Sequence, residues 1–463
     1  MRKKKMWALA VLVLLGIPIL LPAQTGGVDE DALFGGGDGR AAADAGDADA
    51  VTDATNTALF QEVKETNLQI DEILLTDDRT VTIGGSYHFD TSADWRWDAG
   101  DPPTEAAANT GLTTDLQGRL TLNARPDANT RFYSEIWITY PFSAQSGERT
   151  FSDVFYVDEL FSDFTVGSAF VRAGKQTMNW GVGYFFSPAD VLNRSEIDPE
   201  DPNADQEGPA AIRVNVPVGT SNIYAYGILP DDATTPEDIA GAAMVQWLVG
   251  GTEVSTGVYG QADQAPAAMV TATGNFGDLS LFTEGMASWG SDRRFVSDDG
   301  AGMSVYTDDD TWYPQFTVGG LWNTASDDQR HSLNVTGQYY SNGEGYEDSE
   351  LVNITNPSVQ MLLAGDQLGR NDIMTTVRHY IAGRAAYAWD RLGSVDPGAS
   401  VLAVANLSDQ SGSVQPTVQI NAGDSIIVSL GVPFMWGQDG TEYAPRGANW
   451  GITLTVSAGG MKF

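Results

Sequence analysis

Leu112-Thr-Thr-Asp-Leu-Gln-Gly-Arg-Leu-Thr-Leu-Asn123 sets Leu112, Leu116, Leu120 and Leu122 on one parity and Asp115, Gln117, Arg119 and Asn123 on the other. Successive side chains of a strand point to opposite faces, so this segment is apolar on one side and wet on the other. A soluble sandwich produces the same dyad with its leucines in a core. Here the dyad occurs with a secretory leader, no cysteine, many further segments of the same kind and a terminal Phe463. Together these point to a transmembrane antiparallel β-barrel with lipid outside and water inside.

The amino terminus reads Arg2-Lys3-Lys4-Lys5, then an apolar run from Met6 to Leu21, then Leu21-Pro22-Ala23 before Gln24. That is a basic n-region, an h-region and a small-residue cleavage site. A permanent helix is the weaker reading, because Pro18 and Pro22 interrupt the run and no basic stop-transfer flank follows. Lack of cysteine closes the lipoprotein route and removes disulfides, thiolate catalysis and Cys-ligated metals. The formal charge is −37, and loss of the four basic leader residues takes it to −41, which argues against nucleic acid as a partner. No other stretch approaches the roughly 18 to 20 apolar residues of a membrane helix, so any crossing is made by strands.

The organisation expected is a leader over 1–23, an acidic periplasmic linker over 24–78 and a barrel over 79–463. The linker is rich in Gly, Ala and Asp, lacks apolar periodicity and reads as disordered, apart from a short helix over 58–75. From Thr80 the alternation marks about eighteen strands, within a range of 16 to 18. Among them are Ala169–Asn179, Val377–Trp389, Ser425–Pro433 and Trp450–Ser457. Connections after even strands are short, such as Gly250-Gly251, and most of those after odd strands are long, such as 181–209 and 341–376. Short turns on one rim and long loops on the other is the outer-membrane pattern, which puts both mature termini in the periplasm. Trp180, Trp289, Trp312, Trp436 and Trp450 fall at long-loop ends, and Trp247, Trp322 and Trp389 near short-turn ends, as two aromatic girdles require. In the last strand a bulge at Gly459-Gly460 brings Met461 and Phe463 back to one face.

Residues 169–193 read AFVRAGKQTMNWGVGYFFSPADVLN. This resembles the signature of Gram-negative outer-membrane channels of the porin and alginate-export-like kind, in Arg172, Gly174, Lys175, Gln176, Trp180, Gly181, Pro188, Asp190 and Asn193. The resemblance covers only this segment. It implies a strand that turns inward at its extracellular end and a loop folded into the mouth as a constriction. Read from the residues alone, Trp180 and Phe185 are equally girdle anchors and Asp190 a turn cap. The segment Asp29–Gly36 is similar to short acidic Leu-Phe-Gly segments of spirochaete envelope proteins.

The wet face of the strands carries Arg119, Arg131, Arg172, Arg213, Arg378 and Arg384 against Asp115, Glu135 and Glu284. With Gln176 these are the expected pore-lining residues; Trp180, Gly181, Pro188, Asp190 and Asn193 form the expected constriction. An arginine-rich wall favours anions, so anionic or polyhydroxylated solutes are expected. The alternative is that the arginines pair with inward carboxylates and merely hold the barrel. No metal or cofactor is expected: Asp44–Asp53 and Asp298–Asp310 lack the spacing of a calcium loop. A barrel hydrolase would need histidine beside serine or aspartate, and only His88, His331 and His379 exist; no Gly-x-Ser-x-Gly or His-Glu-x-x-His occurs. A surface adhesin is the third reading, kept by the long loop over 341–376. The partners expected are outer-membrane lipid, small hydrophilic solutes and the barrel-assembly machinery through Phe463; monomer and homotrimer both stay open.

Overall fold

The computed structural model describes residues 80–97, 110–141, 154–193, 197–204, 206–230, 233–298, 300, 302–326, 330–347, 356–369, 371–373, 377–389, 395–422, 425–438, 441–443 and 449–459. The leader, the linker with its expected helix and Phe463 lie outside them. Eighteen antiparallel strands close into one barrel. In chain order they begin with β1 (Thr80–Trp97), β2 (Thr110–Asp127), β3 (Thr130–Pro141), β4 (Phe155–Val166), β5 (Ala169–Lys175) and β6 (Ala210–Val218). β7 (Ser221–Leu229), β8 (Ala240–Val249), β9 (Thr252–Gly260), β10 (Ala267–Phe276), β11 (Leu279–Trp289) and β12 (Trp312–Ala325) follow. The rest are β13 (His331–Ser341), β14 (His379–Trp389), β15 (Val395–Asn406), β16 (Ser411–Ala422), β17 (Ile426–Gly431, resumed at Phe434–Trp436) and β18 (Trp450–Gly459).

Each strand pairs with its sequence neighbour, and β1 closes the ring against β18 from Trp97 opposite Trp450 to His88 opposite Gly459. Closure leaves no unpaired sheet edge, which is the condition for placing backbone in hydrocarbon. Outward positions are apolar and exposed: Leu112 and Leu120 on β2, Phe316 and Val318 on β12, Val418 and Ile420 on β16, Ile426, Val428 and Leu430 on β17. Their neighbours point inward and are polar, as in Asn334, Thr336 and Gln338 on β13 or Ser411 and Ser413 on β16, all buried. Among the described residues no helix is long and apolar enough to cross a membrane.

Three departures from the expected strands bear on the lumen. β5 ends at Lys175, four residues early, because the chain leaves the wall there. Gly174 has φ 139°, and a Cβ at that position would run into the Leu160 carbonyl, so only glycine permits the departure. β17 is broken at Val432-Pro433, where proline cannot donate to the ladder, and resumes for three residues. β14 begins at His379, so Arg378 precedes the strand. Trp312 and Trp322, at opposite ends of β12, are both exposed on the outer surface. Trp180 is not a girdle residue: it is only 3% exposed and points into the barrel.

Candidate functional site

The connection from β5 to β6 folds into the lumen. Its two ends are held together by Gln176 N–H donating to the Pro209 carbonyl (3.1 Å) and by the Lys175–Glu207 ion pair (2.6 Å). Gln176 is fully buried, with Nε2 on the Ala211 carbonyl at 3.2 Å. It therefore secures the root of the loop rather than facing an open passage.

From that root the loop spans the interior between two walls. Met178, Trp180, Ala189 and Leu192 pack on the inner face of β6–β10, with Trp180 edge-on to Tyr226 at 5.4 Å. Phe185 and Phe186 pack on β13–β15, with Phe186 stacked on Tyr340 at 5.0 Å. Two wall residues fix the turn between these clusters. Glu284 on β11 accepts from the backbone N–H groups of Val182 and Gly183, from Ala189 N–H at 3.0 Å and from the Ser187 hydroxyl at 3.0 Å. Gln338 on β13 accepts from Tyr184 N–H (3.0 Å) and Phe185 N–H (2.7 Å) and donates to the Phe186 carbonyl at 2.5 Å and to Thr317 Oγ1 at 2.6 Å. A Cβ at Gly181 or Gly183 would strike Ser187 or the Phe186 carbonyl, so the loop curls too tightly there for any larger residue.

Pro188 separates Ser187 from Ala189, the two residues on either side of it that bind Glu284. Asp190 accepts from Asn193 Nδ2 (2.9 Å) and Gln206 Nε2 (3.2 Å), and Asn193 Oδ1 accepts from Met178 N–H at 3.0 Å. These bonds tie the outgoing and returning limbs of the loop together. Farther along, Glu200 accepts from the Ser413 hydroxyl on β16 at 2.5 Å, and Tyr184 OH accepts from Arg384 on β14 at 3.4 Å. Desolvation inside the barrel mouth pushes the Glu200 carboxyl above its ordinary value; the Ser413 bond opposes this and nearby Asp198 adds to it.

The wall left uncovered by these packing contacts belongs to β1–β5 and β16–β18. On its charged side Arg119, Arg131, Glu135 and Arg172 come together with Asp163, which sequence reasoning missed. Arg119 pairs with Glu135 at 2.5 Å, and Arg172 forms two bonds to Asp163 at 2.6 and 3.0 Å, with Arg131 at 3.8 Å from the same carboxylate. The guanidinium groups lie over ring faces, Arg172 on Phe161 at 3.9 Å and Arg119 on Trp137 at 5.4 Å. Arg213 stands opposite Arg172 in the ladder, and Asp115 opposite Asp90. On the other side β16–β18 present neutral groups, including Ser413, Gln415, Thr417, Ser429, Thr453 and Thr455, on paired inward positions. Arg378 is not part of the wall: it sits in the connection between β13 and β14, donating to the Gly345 carbonyl at 3.1 Å and pairing with Glu347 at 2.7 Å.

His88 contacts Asp90 at 2.7 Å, but the nearby Ser457 hydroxyl donates to Asp90 at 2.5 Å. A nucleophile–base pair needs the hydroxyl on the imidazole, and this geometry places it on the carboxylate.

No protein-family model and no curated protein matches the chain. Solved structures that resemble it include OccAB1 of Acinetobacter baumannii, at 12% identity and TM-score 0.45, covering 82% of this chain and 97% of that one. OpdK of Pseudomonas aeruginosa with vanillate gives 9% identity and TM-score 0.45, covering 82% and 99%. OmpT of Vibrio cholerae in its trimer form gives 11% and 0.40, covering 83% and 100%. At such identities the likeness is one of fold, and it carries over no solute or assembly state.

Proposed function

We propose that this protein is a passive diffusion channel of a bacterial outer membrane, admitting small hydrophilic solutes past the inward-folded loop 176–209. The observation that carries the reading is the loop itself. A chain that spends backbone and aromatic side chains on bracing a loop across the barrel interior has narrowed the bore while leaving a charged and hydroxyl-rich wall beside it. Small solutes then pass along that wall and large ones are excluded.

Of the two solute classes expected, polyhydroxylated ones fit better. Arg119, Arg131 and Arg172 face Glu135 and Asp163, which offsets the anion bias of an arginine wall. The Ser, Thr and Gln side chains of β16–β18 offer hydrogen bonds without charge. Outer-membrane lipid forms the surroundings of the apolar outer face, and Phe463 is the handle for the barrel-assembly machinery. Planar-bilayer recording and liposome swelling with polyols of rising size test the reading. Discrete conductance steps and size-dependent swelling are expected; a folded protein that does neither rejects it.

Surface attachment is the second reading, favoured by a folded cap outside the mouth. The hairpin Phe295–Asp298 with Met303–Tyr306 and the helix Pro357–Ala364 share a core around Val296, Val359 and Leu368. Arg294 locks the two connections by pairing with Asp372 at 3.0 Å. Conductance separates the readings, since attachment alone requires no open bore.

A further inference from the structure

We infer that His88 is a proton-tuned selectivity residue of the lumen, an inference that rests on the channel reading. The chain has three histidines. Two lie on the outer face of the barrel, where His331 bonds Tyr387 and His379 bonds Tyr339, each through Nδ1 at 2.9 Å. Both share the parity of Ile381 and Tyr339 in the β13–β14 ladder, opposite to the inward Gln338 and Ala382. His88 has the inward parity of β1, opposite Gln117 and between the positions facing Asp115 and Arg119 on β2. It is therefore the one imidazole of the lumen wall.

Its surroundings suit a group that changes charge in contact with water. The side chain is 39% exposed, and Nε2 stands 2.7 Å from Asp90 on its own strand. Asp90 is also held by Ser457 of β18, and Asp94, farther along β1, accepts from Thr453 at 2.6 Å. Across the ladder β2 contributes Asp115 and Arg119, while Arg96 lies nearer the mouth on β1. On the β18 side the neighbour is Gly459, where a Cβ would come within 2.8 Å of Nδ1. Glycine there leaves the ring room.

Imidazole ordinarily changes charge between about pH 5 and pH 8, whereas ordinary aspartate, glutamate and arginine do not. Protonation puts one positive charge among Asp90, Asp94 and Asp115, on the aqueous side of the wall. One charge at about 7 Å in water changes local ion occupancy roughly two- to threefold. Acidification should therefore lower the cation-to-anion permeability ratio by about twofold. Glu200 and Asp201 of the loop, whose carboxyls desolvation pushes upward, move the ratio in the same direction and form the background to be subtracted.

Reversal potentials in a KCl gradient at about pH 8 and about pH 5.5 test this in the full-length protein and its His88→Gln and Glu200→Gln variants. Heat-dependent gel mobility reports folding of each. The expected result is a pH shift in the wild type that persists in Glu200→Gln and is reduced by half or more in His88→Gln. His88→Lys should hold the low-pH ratio at both values. A folded, conducting His88→Gln channel that shifts as the wild type does overturns the inference while leaving the channel reading intact. Absence of conductance in the wild type overturns both.

Discussion

Glu284→Ala removes the acceptor that three backbone N–H groups and one hydroxyl of loop 176–209 share. An orphaned buried donor costs about 1–3 kcal/mol. Some of the freed groups face the lumen and regain water, so about 1 kcal/mol apiece is the prudent figure, or about 4 kcal/mol for the four. At about 1.4 kcal/mol per decade, the ratio of docked to undocked loop falls roughly a thousandfold. Gln338 and the packing of Trp180, Phe185 and Phe186 remain, so the loop is loosened rather than expelled. The ladder of β11 with β10 and β12 uses backbone groups alone and is untouched. The variant should therefore assemble and show wild-type heat-dependent gel mobility. Single-channel recording should find a larger mean conductance and rapid switching between two levels. Glu284→Gln should fall between the two, because its amide keeps one acceptor oxygen but turns an NH₂ toward donors. A correctly folded Glu284→Ala channel with wild-type conductance and wild-type noise would show that the carboxylate does not hold the constriction.

Arg172→Ala leaves Asp163 facing Arg131 at 3.8 Å, so the wall gains net negative charge and cation preference should rise about twofold. The double variant Arg172→Ala/Asp163→Ala should return the reversal potential to its original value, and failure to do so would mean the pair does not face the ion path. Glu200 titrates above the ordinary glutamate value while the loop is docked and nearer that value when it is released. The docked state then binds the extra proton, and its stability is greatest below the ordinary value and falls as pH rises through the docked one. Loop-opening events should become more frequent with rising pH across that interval, and Glu200→Gln should flatten the dependence; equal slopes in both proteins would refute it.

The barrel was legible because its cause is local. A two-residue alternation needs no knowledge of partners, and β6 and β11 begin and end where the pattern does. The departures occur where a distant contact outweighs the local pattern. The alternation runs on past Lys175, yet the chain turns inward there, since Trp180 and Leu192 find apolar partners on β6–β10 that lie far along the sequence. The sequence left Trp180 open between girdle and constriction for the same reason: tryptophan at a strand end suits a headgroup level, and nothing nearby in sequence reveals Tyr226. Glu284 was placed on the inner wall by parity alone, and its use as an anchor depends on a loop about a hundred residues away. Gln338 carries no charge and lies outside any recognisable motif, although a buried amide with two donors and two acceptor sites is well suited to clasping backbone.

The arginine wall shows how a correct parity can still mislead about electrostatics. Arg119, Arg131 and Arg172 occupy wet positions, and a count of wet-face charges makes the lumen basic. That count omitted Asp163, because β4 carries a register shift opposite Glu135 and Ile136 that obscures the alternation around it. Restoring this one carboxylate changes the local chemistry: Asp163 takes both Arg172 bonds and lies within reach of Arg131, while Glu135 takes Arg119. Each guanidinium then lies between a carboxylate and an aromatic face, held in place on both sides. A charge so held acts on a passing solute mainly through the edge it still presents to water, and its field is offset by its partner's. Selectivity in such a lumen depends less on the number of arginines than on whichever charge can be changed without its partner changing too. The Arg172–Asp163 double variant and the His88 titration probe that distinction from opposite directions, one by removing both members of a pair and the other by changing the charge of His88 while Asp90 keeps its own.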